Sequence, residues 1–219
     1  MKCFKTHSAF TLVELIVAMV LVMSVMAAVG SIFMTHVHTL RAQDNRLEAQ
    51  EYGRAVLDMI AREVRNAGSN PTKGTTGTNC AGTPTAGAPQ IVTANGTTLK
   101  FTYDYRGNAA GSDPDGNCDD SDEEIKYEYQ TPGPNSCPTG KGDVVRTANG
   151  TSEVMTNCNV TDLTFSYYAI DTTTVMSPIV LANIHRVKVS LTVQSANPQT
   201  NYGGQFTSTI TTNIDLRNL

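Results

Sequence analysis

Glu14 is a lone carboxylate in apolar surroundings. Between Phe10 and Met34 nearly every residue is apolar or small, and no other charge occurs there. A carboxylate at the centre of a membrane helix costs roughly 2.5–3.5 kcal/mol on insertion scales unless it is paired. The residue therefore calls for a cationic partner in the same low-dielectric layer, and a free α-amine would serve. The blander alternative is a signal anchor whose Glu14 reaches the headgroup layer.

A second concentration of charge lies at Asp113–Glu124, where seven carboxylates fall within twelve residues with no cation among them, against a net charge of −4 for the whole chain. Like charges packed this closely invite a counter-ion. Calcium takes six to eight oxygens, and Asp113, Asp115, Asn117, Ser121 and Glu124 stand at the first, third, fifth, ninth and twelfth places of an EF-hand-like loop. The sixth place holds Cys118 instead of the glycine that such a loop needs for its turn, and no helix is evident on either side. What remains is a looser calcium loop closed by a Cys118 disulfide, or a solvated acidic turn between strands. No motif requires a cofactor, and Ca2+ is the one candidate.

Cysteine placement separates two compartments. Cys3 precedes the apolar run, whereas Cys80, Cys118, Cys137 and Cys158 form an even set beyond it, where an oxidising compartment would sustain two disulfides. Four cysteines allow three connectivities; pairing of sequence neighbours, Cys80 with Cys118 and Cys137 with Cys158, is mildly favoured. The absence of a close CxxC pair speaks against zinc.

Catalytic constellations are not visible. His36 and His38 are two residues apart on a helix and point to different sides, which is poor geometry for a shared metal. His185 opens a strand, and no Gly-x-Ser-x-Gly elbow, phosphate-binding glycine loop or His-Glu-x-x-His occurs. The sequence thus predicts a protein that is not an enzyme. Scattered Arg and Lys with few aromatic cues give no basis for direct nucleic-acid binding.

The elements that position these residues follow from hydrophobic period. Phe10–Met34 would run about 37 Å as a helix, enough to span a hydrocarbon core of about 30 Å with some tilt. Lys2 and Lys5 precede it with no acidic residue among them, so positive-inside bias keeps the amino end cytoplasmic and sends the remainder outward. Leu40, Leu47, Val56, Ile60 and Val64 continue the helical interval with charged residues between them, an amphipathic second half that Gly68 and Pro71 stop. Gly30 and Gly53 are candidate points of local bending.

Beyond Ala88 the period becomes two. Leu99, Phe101, Tyr103 and Tyr105 alternate with polar residues, as do Ile125, Tyr127 and Tyr129, then Leu163, Phe165 and Tyr167, then Val187, Val189, Leu191 and Val193. Phe206, Ile210, Ile214 and Leu216 suit one face of a closing strand. Half-buried antiparallel strands with one face covered by a helix make an α+β arrangement.

The run Lys5-Thr-His-Ser-Ala-Phe-Thr-Leu-Val-Glu14 and the apolar stretch behind it resemble the leader of type IV prepilins, in which a short basic peptide ends in a small residue ahead of Phe-Thr-Leu-x-Glu. Ala9 stands where glycine is usual. The resemblance implies that a prepilin peptidase cuts between Ala9 and Phe10 and N-methylates Phe10. It also implies that Glu14 pairs with the first-residue amine of a neighbouring subunit and so sets register during assembly, and that the fold is pilin-like. Residues 1–9 are then the leader, 10–34 the transmembrane and filament-core helix, 35–68 its amphipathic continuation and 69–219 an exported, disulfide-containing β-sheet domain.

Ala61–Gly68, Val160–Tyr167 and Thr212–Leu219 are similar to PilW-type minor pilins and, next, to J-type pseudopilins of type II secretion. Both are low-copy components that the family places at or near the filament tip, where they prime assembly. Implied partners are the peptidase, other major and minor pilins through the amino-terminal helix, and the inner membrane before assembly. The implied destination is an extracellular filament or a periplasmic pseudopilus. A membrane-anchored calcium-dependent adhesin, with Glu14 dispensable, is the reading from a different class.

Overall fold

The computed structural model describes residues 11–69, 91–104, 123–195 and 206–217. The chain divides into two compact units, residues 1–44 and 45–219. Helix α1, Leu12–Arg65, contributes its first part to one unit and its second part to the other.

In the first unit the helix is apolar all round from Leu12 to Met34 apart from Glu14, with its large side chains exposed. Its hydroxyls turn inward on the backbone: Ser24 donates to Leu21 O, Ser31 to Ala28 O, Thr35 to Ser31 O and Thr39 to Thr35 O, at 2.8–2.9 Å. Each polar hydrogen is thereby satisfied within the helix, which lets Ser and Thr sit in an apolar environment at little cost.

In the second unit α1 buries Ala49, Gly53, Val56, Leu57, Ile60, Ala61 and Val64. The i, i+4 series Val56, Ile60, Val64 forms the stripe that faces the strands, and each large aliphatic side chain so buried is worth about 1.5–3 kcal/mol. Leu40 and Leu47, expected on this stripe, are instead 58% and 56% exposed. The buried face is continued by the small residues Ala49 and Gly53. A Cβ on Gly53 would lie 2.9 Å from Ile210 Cδ1 and 3.2 Å from Val193 Cγ1, so this glycine serves close helix–sheet approach rather than bending.

The helix ends at Arg65. Gly68 takes φ +74°, a left-handed turn that glycine adopts without a Cβ penalty, and its N–H donates to Thr102 O at 2.9 Å.

Eight strands follow among the described residues: β1 Ile91–Ala94, β2 Thr98–Thr102, β3 Glu124–Gln130, β4 Asp143–Ala148, β5 Thr151–Val154, β6 Val160–Tyr168, β7 Arg186–Gln194 and β8 Thr207–Asp215. All pairings are antiparallel. They form two sheets, β1-β2-β3-β4-β5 and β6-β7-β8. The period-two residues point inward, with Leu99, Phe101, Ile125, Tyr127, Leu163, Phe165, Tyr167, Val187, Val189, Leu191 and Val193 buried against the α1 stripe. Tyr105 lies outside the described residues.

The helix is keyed to the first sheet by one polar cluster. Glu63 on α1 receives the Arg146 guanidinium of β4 through Nε and Nη2 at 2.8–3.2 Å, and the Tyr127 hydroxyl of β3 donates to the same carboxylate. Burial opposes the charge on Arg146, but the hydrogen bonds and charge of Glu63 outweigh it and raise its pKa. Burial raises the Tyr127 pKa strongly, and the Glu63 hydrogen bond and charge raise it further, against a smaller pull from Arg146.

Candidate functional site

The start of α1 is built from a turn that the residue types dictate. Thr11 precedes the first helical residue, and its Oγ1 accepts the Glu14 N–H at 3.3 Å, while its carbonyl accepts the Leu15 N–H at 3.2 Å. Thr-x-x-Glu is the capping-box pattern, in which a threonine hydroxyl satisfies one of the orphan N–H groups of the first turn. Glu14 sits in that first turn, where the positive end of the helix dipole favours an anion. The Thr11 cap was missed in reading the sequence, although the Thr-x-x-Glu spacing ahead of an apolar run is its signal.

Glu14 is exposed, as are the large apolar residues that follow it on every face of the helix. Among the described residues, α1 is the helix long and apolar enough to cross a membrane. From Leu12 to Met34 this helix is apolar on every face, with Glu14 as its one charge. It can insert into lipid or pack against like helices, and it can place a negative charge at a fixed depth.

Ala9 and Phe10, the expected cleavage and methylation positions, lie outside the described residues. So do Cys80 and Cys118, and Asp113, Asp115, Asn117 and Ser121 of the acidic segment. Glu124 is described, and its carboxylate pairs with Lys100 Nζ across the β2–β3 ladder at 2.7 Å.

Cys137 and Cys158 form a disulfide with Cα atoms 5.1 Å apart. Cys137 precedes β4 and Cys158 follows β5, so the bond ties the two feet of that hairpin. A loop of this length is worth about 3 kcal/mol in the chain-entropy account. The two sulfurs and the Asp143 carboxylate are the one group of three potential metal ligands among the described residues, and the disulfide occupies both thiols.

The second unit also holds a cavity of about 220 Å³ beside the β5–β6 loop, lined among others by Asn45, Glu48, Tyr52, Asn157, Asn159 and Gln194. Tyr52 donates its hydroxyl to Met155 O, and burial followed by the Asp143 charge raises its pKa. Its lining residues include no His, Cys or Ser.

No curated protein and no solved structure matches the chain. Residues 4–30 match the family described as the prokaryotic N-terminal methylation motif. That stretch contains Ala9, Phe10, Thr11 and Glu14 and continues into the apolar part of α1. The chain therefore carries an amino-terminal methylation motif, and that motif supports a type IV prepilin or pseudopilin reading.

Proposed function

We propose that the protein is a PilW-like minor type IV pilin, cut between Ala9 and Phe10, N-methylated at Phe10 and inserted at or near a filament tip to prime assembly. The observation that carries this reading is the methylation motif over residues 4–30, running into an exposed apolar stretch through Met34 whose single carboxylate is Glu14.

Before assembly, the segment through Met34 anchors the chain in the inner membrane, with the β domain exported. On assembly the same surface leaves lipid for the apolar helices of neighbouring pilins. Glu14 then meets the α-amine of an adjacent subunit, and the cost of its charge in a low-dielectric layer makes any other axial register unfavourable. The role is structural and needs no cofactor. A J-type pseudopilin of type II secretion is the second reading, because the same motif serves both machineries.

The test is a set of complementation strains carrying Glu14→Ala or the wild-type chain with the other pilins and the peptidase. The proposal predicts that both chains are processed and that only the wild type is recovered in sheared filaments. Equal recovery of the two would remove Glu14 from assembly and leave a tethered domain. Loss of twitching, as against loss of protein secretion, separates the pilus from the secretion reading.

A further inference from the structure

Asp143, at the start of β4, is a fully buried carboxylate that the assembly role leaves without a task. Its Oδ1 accepts the Cys158 N–H at 2.9 Å and the Thr156 hydroxyl at 3.2 Å, and Oδ2 accepts the Asn135 N–H at 3.3 Å. The Thr156 oxygen in turn accepts the Val144 N–H at 2.8 Å, which directs the hydroxyl proton at Asp143. Both carboxylate oxygens are thus acceptors, the arrangement of an ionised group, and these donors are all neutral. The same Oδ2 lies 3.2 Å from Cys137 Sγ. The loop is shaped around it: a Cβ on Gly133 would fall 2.3 Å from Oδ2, so only glycine leaves room for the carboxylate.

The two sulfurs differ in access. Cys137 is 7% exposed, whereas Cys158 is only partly buried. An external reductant therefore reaches Cys158 Sγ first. When a dithiol attacks as its thiolate, a new S–S bond joins it to Cys158, the Cys137–Cys158 bond breaks, and the electron pair leaves on Cys137 Sγ. The reductant's second thiolate then displaces Cys158, giving a cyclic disulfide of the reductant and two cysteine thiols, with the protons supplied by the reductant's two thiols through solvent. Departure of Cys137 as a thiolate is the step that Asp143 opposes, because the new negative charge forms in a buried site beside an existing one, and a poorer leaving thiolate slows exchange.

We propose that Asp143 is a positioning residue that makes the Cys137–Cys158 bond resistant to thiol reduction, by facing the leaving sulfur with a buried negative charge. The bond would then persist when an exported domain meets reducing thiols, and the feet of the β4–β5 hairpin would stay tied.

The experiment follows reduction of the full-length chain in detergent by dithiothreitol, with differential alkylation and mass spectrometry reporting Cys137 and Cys158 separately from the other cysteines. Three chains are compared: wild type, Asp143→Asn, and Thr156→Val, which loosens the same cluster but leaves the carboxylate against the sulfur. Each rate is divided by that of the same chain in denaturant. The proposal predicts that Asp143→Asn is reduced about ten-fold faster than wild type, and that Thr156→Val stays within about three-fold of it. An Asp143→Asn rate equal to wild type overturns the proposal, as does a Thr156→Val rate equal to that of Asp143→Asn. Should Asp143→Asn fail to close its disulfide, Thr156→Val decides alone: a rate close to the denatured value overturns the proposal, and a rate close to wild type supports it.

Discussion

The hydroxyl of Thr11 accepts the backbone N–H of Glu14 at 3.3 Å, which gives this residue of the first turn two separable features. Its backbone N–H belongs to a helix cap, and its carboxylate is the one charge between Phe10 and Met34. Glutamine can serve in a capping box as glutamate does, but it carries no charge. Glu14→Gln should therefore be as deficient as Glu14→Ala in filament incorporation, while Thr11→Ala, which costs about 0.5–2 kcal/mol of helix start, should retain most of it. Immunoblots of sheared filaments against whole cells measure this. Normal incorporation of Glu14→Gln would reduce Glu14 to a capping residue.

Glu63 and Arg146 are separated by 83 positions, yet they pair at 2.8 Å with side chains 17% and 18% exposed. Removing one partner leaves a largely desolvated charge. Glu63→Ala should cost about 2–4 kcal/mol, scaled down from a fully buried pair because some solvent reaches it. Replacing Glu63 and Arg146 together with Met should cost less than either single truncation. A double-mutant cycle by denaturant unfolding checks both statements.

Tyr127 and Tyr167 are buried tyrosines whose hydroxyls titrate far above the usual range. Burial is the main cause for both. Glu63 adds to the shift at Tyr127. Unfolded tyrosine ionises near pH 10. Above that the unfolded chain loses protons that the folded one keeps, so the stability from these groups is full below about pH 10 and falls as pH rises beyond it. Thermal unfolding between about pH 8 and 12 should show the fall, and Tyr127→Phe should flatten it while lowering stability at neutral pH. A slope unchanged in Tyr127→Phe would contradict the account.

At Gly53 the neighbours decide the sign. The closest atom to an added Cβ is the far end of Ile210, which can rotate away, and alanine gains about 1 kcal/mol of helix propensity over glycine. Gly53→Ala should be near neutral in unfolding experiments. Gly53→Leu must displace Ile210 and Val193 together and should cost about 1–3 kcal/mol.

The helix and much of the strand pattern were legible because they rest on local period: Val56, Ile60 and Val64 at intervals of four, and the alternating apolar residues of β2, β3, β6 and β7. The stop at Gly68 was legible because a left-handed turn selects glycine. β1, β4 and β5 were not: β1 and β5 are four-residue strands too short for an alternating signal, with Thr151–Val154 exposed throughout, and β4 buries its first three residues in a row. Nor was the division into two sheets, which depends on pairing rather than on any one strand. Leu40 and Leu47 fitted the helical period but not the buried stripe, because Ala49 and Gly53 bring the helix close to its sheet and set which face is covered. In the amino-terminal segment the motif was plain from residue types, while the Thr11 cap was present in the spacing and passed over. Glu63 with Arg146, and Asp143 with Cys137, are contacts made by the fold, and no local pattern marks them.

The central claim is that Phe10 becomes the amino terminus of a methylated subunit, and intact mass with amino-terminal sequencing of the chain co-expressed with a prepilin peptidase tests it most directly. The account predicts a chain lacking residues 1–9 and carrying one added methyl group on Phe10, with uncut protein when the peptidase is omitted. A chain that keeps Met1–Ala9 in the presence of active peptidase, and still supports filaments, would contradict it.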